Sequence, residues 1–104
     1  MNDAVHRFEV AADHPAFAGH FPGQPLLPGV LLLAEVMRAL RAAPALAARL
    51  GAHPEVAAAK FLAPVGPGQA GEVRLFDEGK ALRFEVHAGG VLSASGQLRA
   101  ETGA

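Results

Sequence analysis

The 104-residue chain contains no cysteine. A disulfide framework and a thiolate metal site are therefore excluded, and the absence fits a reducing compartment. Charge of neither sign predominates: nine Lys and Arg stand against ten Asp and Glu, for a formal net charge of -1. No basic run is present, so nucleic-acid binding has no support. Long apolar runs are missing too. The longest, "VLLLA" at 30–34, falls far short of the roughly 20 residues a membrane-spanning helix needs. The opening "MNDAVHRFEV" has neither the basic n-region nor the apolar h-region of a secretory signal. The histidines are scattered without ligand spacing, so no metal site is expected. The expectation is a soluble cytoplasmic protein that engages neither membrane nor nucleic acid.

What the chain does have is apolar residues along its whole length, 51% of the total. That suits one domain over residues 1–104. At this size folding buries only about two-thirds of the chain's surface, a shortfall that pairing with a second copy would relieve.

Along the chain, "AVHRFEVAA" (4–12) alternates partly and predicts a first strand. Residues 13–29 hold too much Pro and Gly for regular structure. From Val30 the spacing changes: Leu32, Leu33, Val36, Met37 and Leu40 recur at threes and fours, which predicts an amphipathic helix. Pro28 suits its start, and Pro44 sets its end near Ala43. "ALAARLG" (45–51) adds a turn or two, capped by Gly51. The second half reads as strands at 55–65, 72–78, 81–88 and 91–101, with "DEGK" and "HAGG" as hairpin turns. In "RFEVHA", Phe84 and Val86 alternate with Arg83, Glu85 and His87, giving one polar face. Strand, helix, then antiparallel strands is an α+β order: a long sheet packed on one central helix.

The stretch with chemical potential is "GHFPGQPLLPGV" (19–30). Pro22, Pro25 and Pro28 each fix φ near −65° and remove a donor. Gly23 and Gly29 allow close approach. The result is a stiff path that delivers a bare helix N-terminus, with unsatisfied N–H groups and partial positive charge. Such donors stabilise a developing enolate oxygen. His20, which titrates near neutral pH when unperturbed, can take a proton and return it. Without further context a lone loop histidine is more often bonded to backbone than catalytic. His6, His14, His53 and His87 are read as surface or strand-edge residues, with His14 closest to this loop. Arg38 and Arg41 suit a solvated helix face, or contact with an acidic carrier protein.

Two blocks carry a family resemblance. "GHFPGQPLLPGV" resembles the Gly-His-Phe-Pro, spacer, Pro-x-x-Pro-Gly-Val signature of hot-dog-fold 3-hydroxyacyl-ACP dehydratases. "KFLAPVGPG" (60–68) is similar to that family's Lys-Phe-x-x-Pro-Val-x-Pro-Gly segment. The resemblance implies an antiparallel sheet wrapped around one central helix, working as a dimer. It implies dehydration of 3-hydroxyacyl-ACP to trans-2-enoyl-ACP in fatty-acid or polyketide-type synthesis. No cofactor is implied beyond the phosphopantetheine that carries the acyl group on ACP or CoA. His20 becomes the base and Gly29 the N–H donor to the thioester carbonyl, with Phe21, Pro28 and Val30 beside the substrate. The family's acid, contributed across the dimer, should fall fourteen residues after the histidine, where this chain has Ala34. Glu35 is next, but one helical step turns a side chain by about 100° and shifts it about 1.5 Å.

That departure keeps three readings open. Glu35 supplies the acid through a local change in the helix. Alternatively, the chain is a catalytically impaired acyl-ACP-binding subunit, paired as a homodimer or with another hot-dog protein. The third is a hot-dog thioesterase, with Glu35 or Asp13 activating water.

Overall fold

The computed structural model describes residues 3–13 and 29–101. Its elements run β1 (Ala4–Glu9), α1 (Gly29–Arg41), α2 (Pro44–Leu50), β2 (Glu55–Phe61), β3 (Ala70–Asp77), β4 (Ala81–Ala88) and β5 (Val91–Arg99). All five strands join one antiparallel sheet in the order β1-β3-β4-β5-β2. Among the described residues, β1 and β2 are its two edges. The segment 14–28, with its predicted irregular path, lies outside the described residues.

Period-two alternation decides which face of the sheet is covered. On β4, Leu82, Phe84, Val86 and Ala88 point inward and are buried. Their neighbours Arg83, Glu85 and His87 point outward, as the alternation predicts. Val73 and Leu75 of β3 and Leu98 of β5 complete the inner face, all at 0% exposure. Onto it α1 lays Leu32, Val36, Ala39 and Leu40. These are positions i, i+4, i+7 and i+8, the apolar stripe of a helix seated on one side only. The helix touches β1, β3 and β4. Phe84 is the largest side chain in this core, and truncating such a residue to alanine costs about 3–5 kcal/mol. The Phe84 ring also lies over Gly96 of β5, where a β-carbon would come within 2.6 Å of it.

The outer face is a lattice of charge. Arg7, Glu72 and His87 stand in one cross-strand row, with Arg74 opposite Glu85 in the next. Arg74 donates to Glu72 at 2.6 Å, and His87 meets Glu85 at 2.9 Å. The hydrogen bond from Arg74 holds the Glu72 carboxyl below its ordinary range, and the contact with His87 does the same for Glu85.

Several boundaries shift from the sequence reading. The helix starts at Gly29 and stops at Arg41, and the turn at 45–51 is a separate helix, α2. Gly51 caps α2 by donating to the Ala47 carbonyl at 3.0 Å. The strand expected over 55–65 ends at Phe61. A β-bulge explains this. Val86 faces Ala94 but His87 faces Leu92, which leaves Ser93 without a partner on β4. The Ser93 carbonyl instead accepts from both Leu62 and Ala63 N–H groups, at 2.8 and 3.3 Å. Pro64 then has no N–H to continue a ladder.

Candidate active site

The N-terminus of α1 opens beside the end of β2. Its first turn carries no acidic side chain, so no carboxylate of that turn competes for its N–H groups, which have no intrahelical partner. Between helix and strand lies a groove of about 600 Å³, within the range of small-molecule sites. Gly29, Val30 and Leu32 line it from α1; Phe61, Leu62 and Val65 line it from β2 and the following turn. The lining is apolar. Among the described residues, α1 covers the β1-β3-β4 side of the sheet and no element covers the inner face of β2. Val56, Phe61 and Leu62 are accordingly exposed, as is Val30 on the helix.

Gly29 has a second role in this geometry. The Phe61 ring packs against its Cα, so that a β-carbon there would lie 2.8 Å from the nearest ring atom. A side chain at this position would push the aromatic ring away from the helix N-terminus.

Glu35 sits elsewhere. It lies six residues past Gly29, about 9 Å along the axis and about 240° around it. There it lines a crevice of about 70 Å³ between α1 and β1, with Phe8, Val10, Leu31, Ala34 and Arg38. Its carboxylate accepts from Arg38 at 2.7 Å and lies 3.9 Å from His6 Nε2. His6 belongs to an edge strand, as read. Its side chain turns inward beneath α1 and is 29% exposed.

Of the sequence-derived site residues, the structure thus brings Gly29 and Val30 together and places Glu35 on another flank of the same helix. His20, Phe21 and Pro28 lie outside the described residues. Phe61, Leu62 and Val65 were not among the expected substrate contacts. Their signal was the "KFLAPV" block, which spacing alone could not connect to the helix start.

The arrangement defines a class: an apolar groove at the N-terminus of a helix cradled by an antiparallel sheet, the hot-dog fold. Within that class, the model of the ApeI-like family, described as ApeI dehydratase, matches residues 1–97, and the chain belongs to this family. It is 35% identical over 91 residues to the 3-hydroxyacyl-[acyl-carrier-protein] dehydratase FabZ of Gluconacetobacter diazotrophicus, covering 82% of this chain and 55% of that protein. With the enzyme of the same name from Symbiobacterium thermophilum it shares 34% identity over 97 residues, 88% of this chain and 67% of that one. The chain therefore spans between half and two-thirds of these curated relatives. Among solved structures it resembles the dehydratase heterocomplex ApeI:P from Xenorhabdus doucetiae, with a TM-score of 0.74 and 27% identity over 94% of this chain and 86% of that one.

Proposed function

We propose that this chain takes part in dehydrating a 3-hydroxyacyl thioester to the trans-2-enoyl thioester. The observation that carries the reading is the apolar groove meeting the α1 N-terminus at Gly29. In the proposed step His20 removes the α-proton. The electron pair moves onto the thioester carbonyl, whose oxygen gains charge against the Gly29 N–H and the helix dipole. As the double bond forms, the C–O bond to the 3-hydroxyl breaks, and a proton from a carboxylic acid lets that oxygen leave as water. The substrate arrives on the phosphopantetheine of an acyl carrier protein, and no other cofactor is required. The setting is the cytoplasm; no described helix is long and apolar enough to cross a membrane.

The acid is the open element of the site, and a partner is the proposed source. The outer edge of β2 carries no ladder partner among the described residues, and Val56, Phe61 and Leu62 expose apolar surface beside it. A second hot-dog chain joined edge to edge there would bring its own helix alongside α1. Because Ala34 offers no carboxyl and Glu35 is engaged by Arg38, a partner carrying the acid suits this chain better than its own copy. The heterocomplex formed by the Xenorhabdus neighbour supports a mixed pair. The same observations favour a second reading, in which the homodimer binds acyl-ACP with little turnover. A hydrolytic role for Glu35 or Asp13 has less support: Glu35 lines the other crevice, and Asp13 is exposed.

The test is direct. Purified protein, alone and with a candidate hot-dog partner, is mixed with 3-hydroxyacyl thioesters, and water loss is followed by mass and enoyl absorbance. Release of free thiol without enoyl product would replace the dehydratase reading with a thioesterase.

A further inference from the structure

Part of the groove wall is held by a side chain rather than by a ladder. Pro64 and Val65 line the groove beyond the end of β2. Pro64 and Pro67 have no N–H, so Val65 and Gly66 carry the only amide donors between Ala63 and Gly68. The half-buried Gly66 N–H donates to Gln69 Oε1 at 2.7 Å. Gln69 is itself fixed by two other segments. Its backbone carbonyl accepts from the Val10 N–H at 2.9 Å, and the neighbouring Gly68 N–H donates to the Val10 carbonyl at 2.8 Å. Its amide nitrogen packs against Gly89, between β4 and β5, where a β-carbon would lie 3.1 Å from it. Val65 and Val10 are both core residues, at 0% and 4% exposure. Val65 borders the groove, and Val10 borders the crevice beside Ala34. The 66–69 turn thus joins a wall of one to a wall of the other.

We infer that Gln69 is a positioning residue for the groove: through Gly66 its side-chain carbonyl holds the Val65 wall, and through Val10 its backbone fastens that wall to the end of β1. The assignment rests on the acyl-thioester reading and deepens it. Without the side-chain carbonyl, the Gly66 N–H loses its partner, and leaving such a group unpaired is costly. The turn then shifts to find another acceptor and carries Val65 with it. The apolar wall that an acyl chain packs against is displaced, while the α1 N-terminus stays in place.

The experiment compares wild type, Gln69→Met and Gln69→Glu in two arms. One arm measures binding of unreactive acyl-pantetheine amides by calorimetry, an acetyl amide against a long-chain one. The other measures kcat and KM for long-chain 3-hydroxyacyl-pantetheine thioesters, with the hot-dog partner present if turnover requires it. Gln69→Met keeps the length of the side chain and removes its carbonyl. It should weaken long-chain binding about 10-fold, the low end of what one methylene is worth in an apolar pocket. Acetyl binding, which reaches least far into the groove, should be nearly unchanged. KM should rise with kcat retained, the mark of lost uniform binding. Gln69→Glu keeps an oxygen for the Gly66 N–H and should restore long-chain affinity. Gln69→Asn, whose shorter amide draws the oxygen back from Gly66, carries the test if the methionine variant fails to fold. Unchanged long-chain binding in a folded variant overturns the assignment. So does an equal loss for both amides, which would make Gln69 a residue of general stability, and so does a loss that Gln69→Glu does not restore. A length-dependent loss of amide binding, in an assembly that turns over no thioester, would remove the dehydratase reading and leave the assignment in place. Absence of amide binding by the wild-type assembly would remove the assignment.

Discussion

Glu35 accepts a hydrogen bond from Arg38 at 2.7 Å, one turn further along the same helix. The guanidinium thus engages this carboxylate, which borders the β1 crevice together with Ala34. Glu35→Gln should therefore leave any dehydratase rate of the partnered protein nearly unchanged, whereas an acid at that position would lose about 10²–10⁴-fold. Rate measurement on the folded variant decides between the two.

Ala34 faces the β1 crevice beside Glu35, and it stands where the resembled family has its acid. Ala34→Glu should raise dehydration by the homodimer, because it returns a proton donor to the shared site. No gain in a folded, dimeric variant would show that the acid is not what limits turnover.

His20→Ala should lower turnover about 10²–10⁴-fold, the usual contribution of a positioned base. Circular dichroism and thermal unfolding should match wild type. A folded variant that keeps most of its rate would move the base elsewhere, with His14 the next to examine.

The outer edge of β2, unpaired among the described residues, predicts a mass of two chains by sedimentation at micromolar concentration. A monomer that still turns substrate over would remove the composite site.

Gly96→Ala should destabilise the fold by about 1–3 kcal/mol, because a β-carbon would press into the Phe84 ring and the Ala58 carbonyl. Thermal unfolding of the variant checks it; each kcal/mol is worth about 4–8 °C for a domain near this size.

Asp77 predicts a pH response. Its carboxylate accepts from Gly79 N–H at 3.1 Å and is paired with Arg49 of α2, and these interactions, the Gly79 bond first, hold it below its ordinary range. The folded pKa lies below the unfolded one, so this stabilisation is present in full above the ordinary carboxylate range, near pH 4. It is lost as pH falls through the folded value. In denaturant titrations the stability of Asp77→Asn should fall less steeply than wild type below about pH 4. Parallel curves would mean that the pair does not couple to folding.

Much of the fold could be read from the chain in order. The alternation in "ALRFEVHA" sets the inner and outer faces of β4 because side chains of a strand project with period two. The threes and fours from Leu32 to Leu40 set the buried stripe of α1. The motif at 19–30 pointed to a helix starting just after it, since prolines and glycines restrict backbone geometry locally, and α1 begins at Gly29. Three features depended on tertiary structure, because each joins residues far apart in sequence. The stacking of Phe61 on Gly29 requires the end of β2 to return to the start of α1, a contact that no local spacing encodes. The early end of β2 follows from a bulge at Ser93, thirty residues downstream of Ala63. The direction of Glu35 was decided by which side of the helix β1 occupies, bringing His6 within 3.9 Å. Sequence periodicity assigns a residue to a face; only packing decides what that face meets.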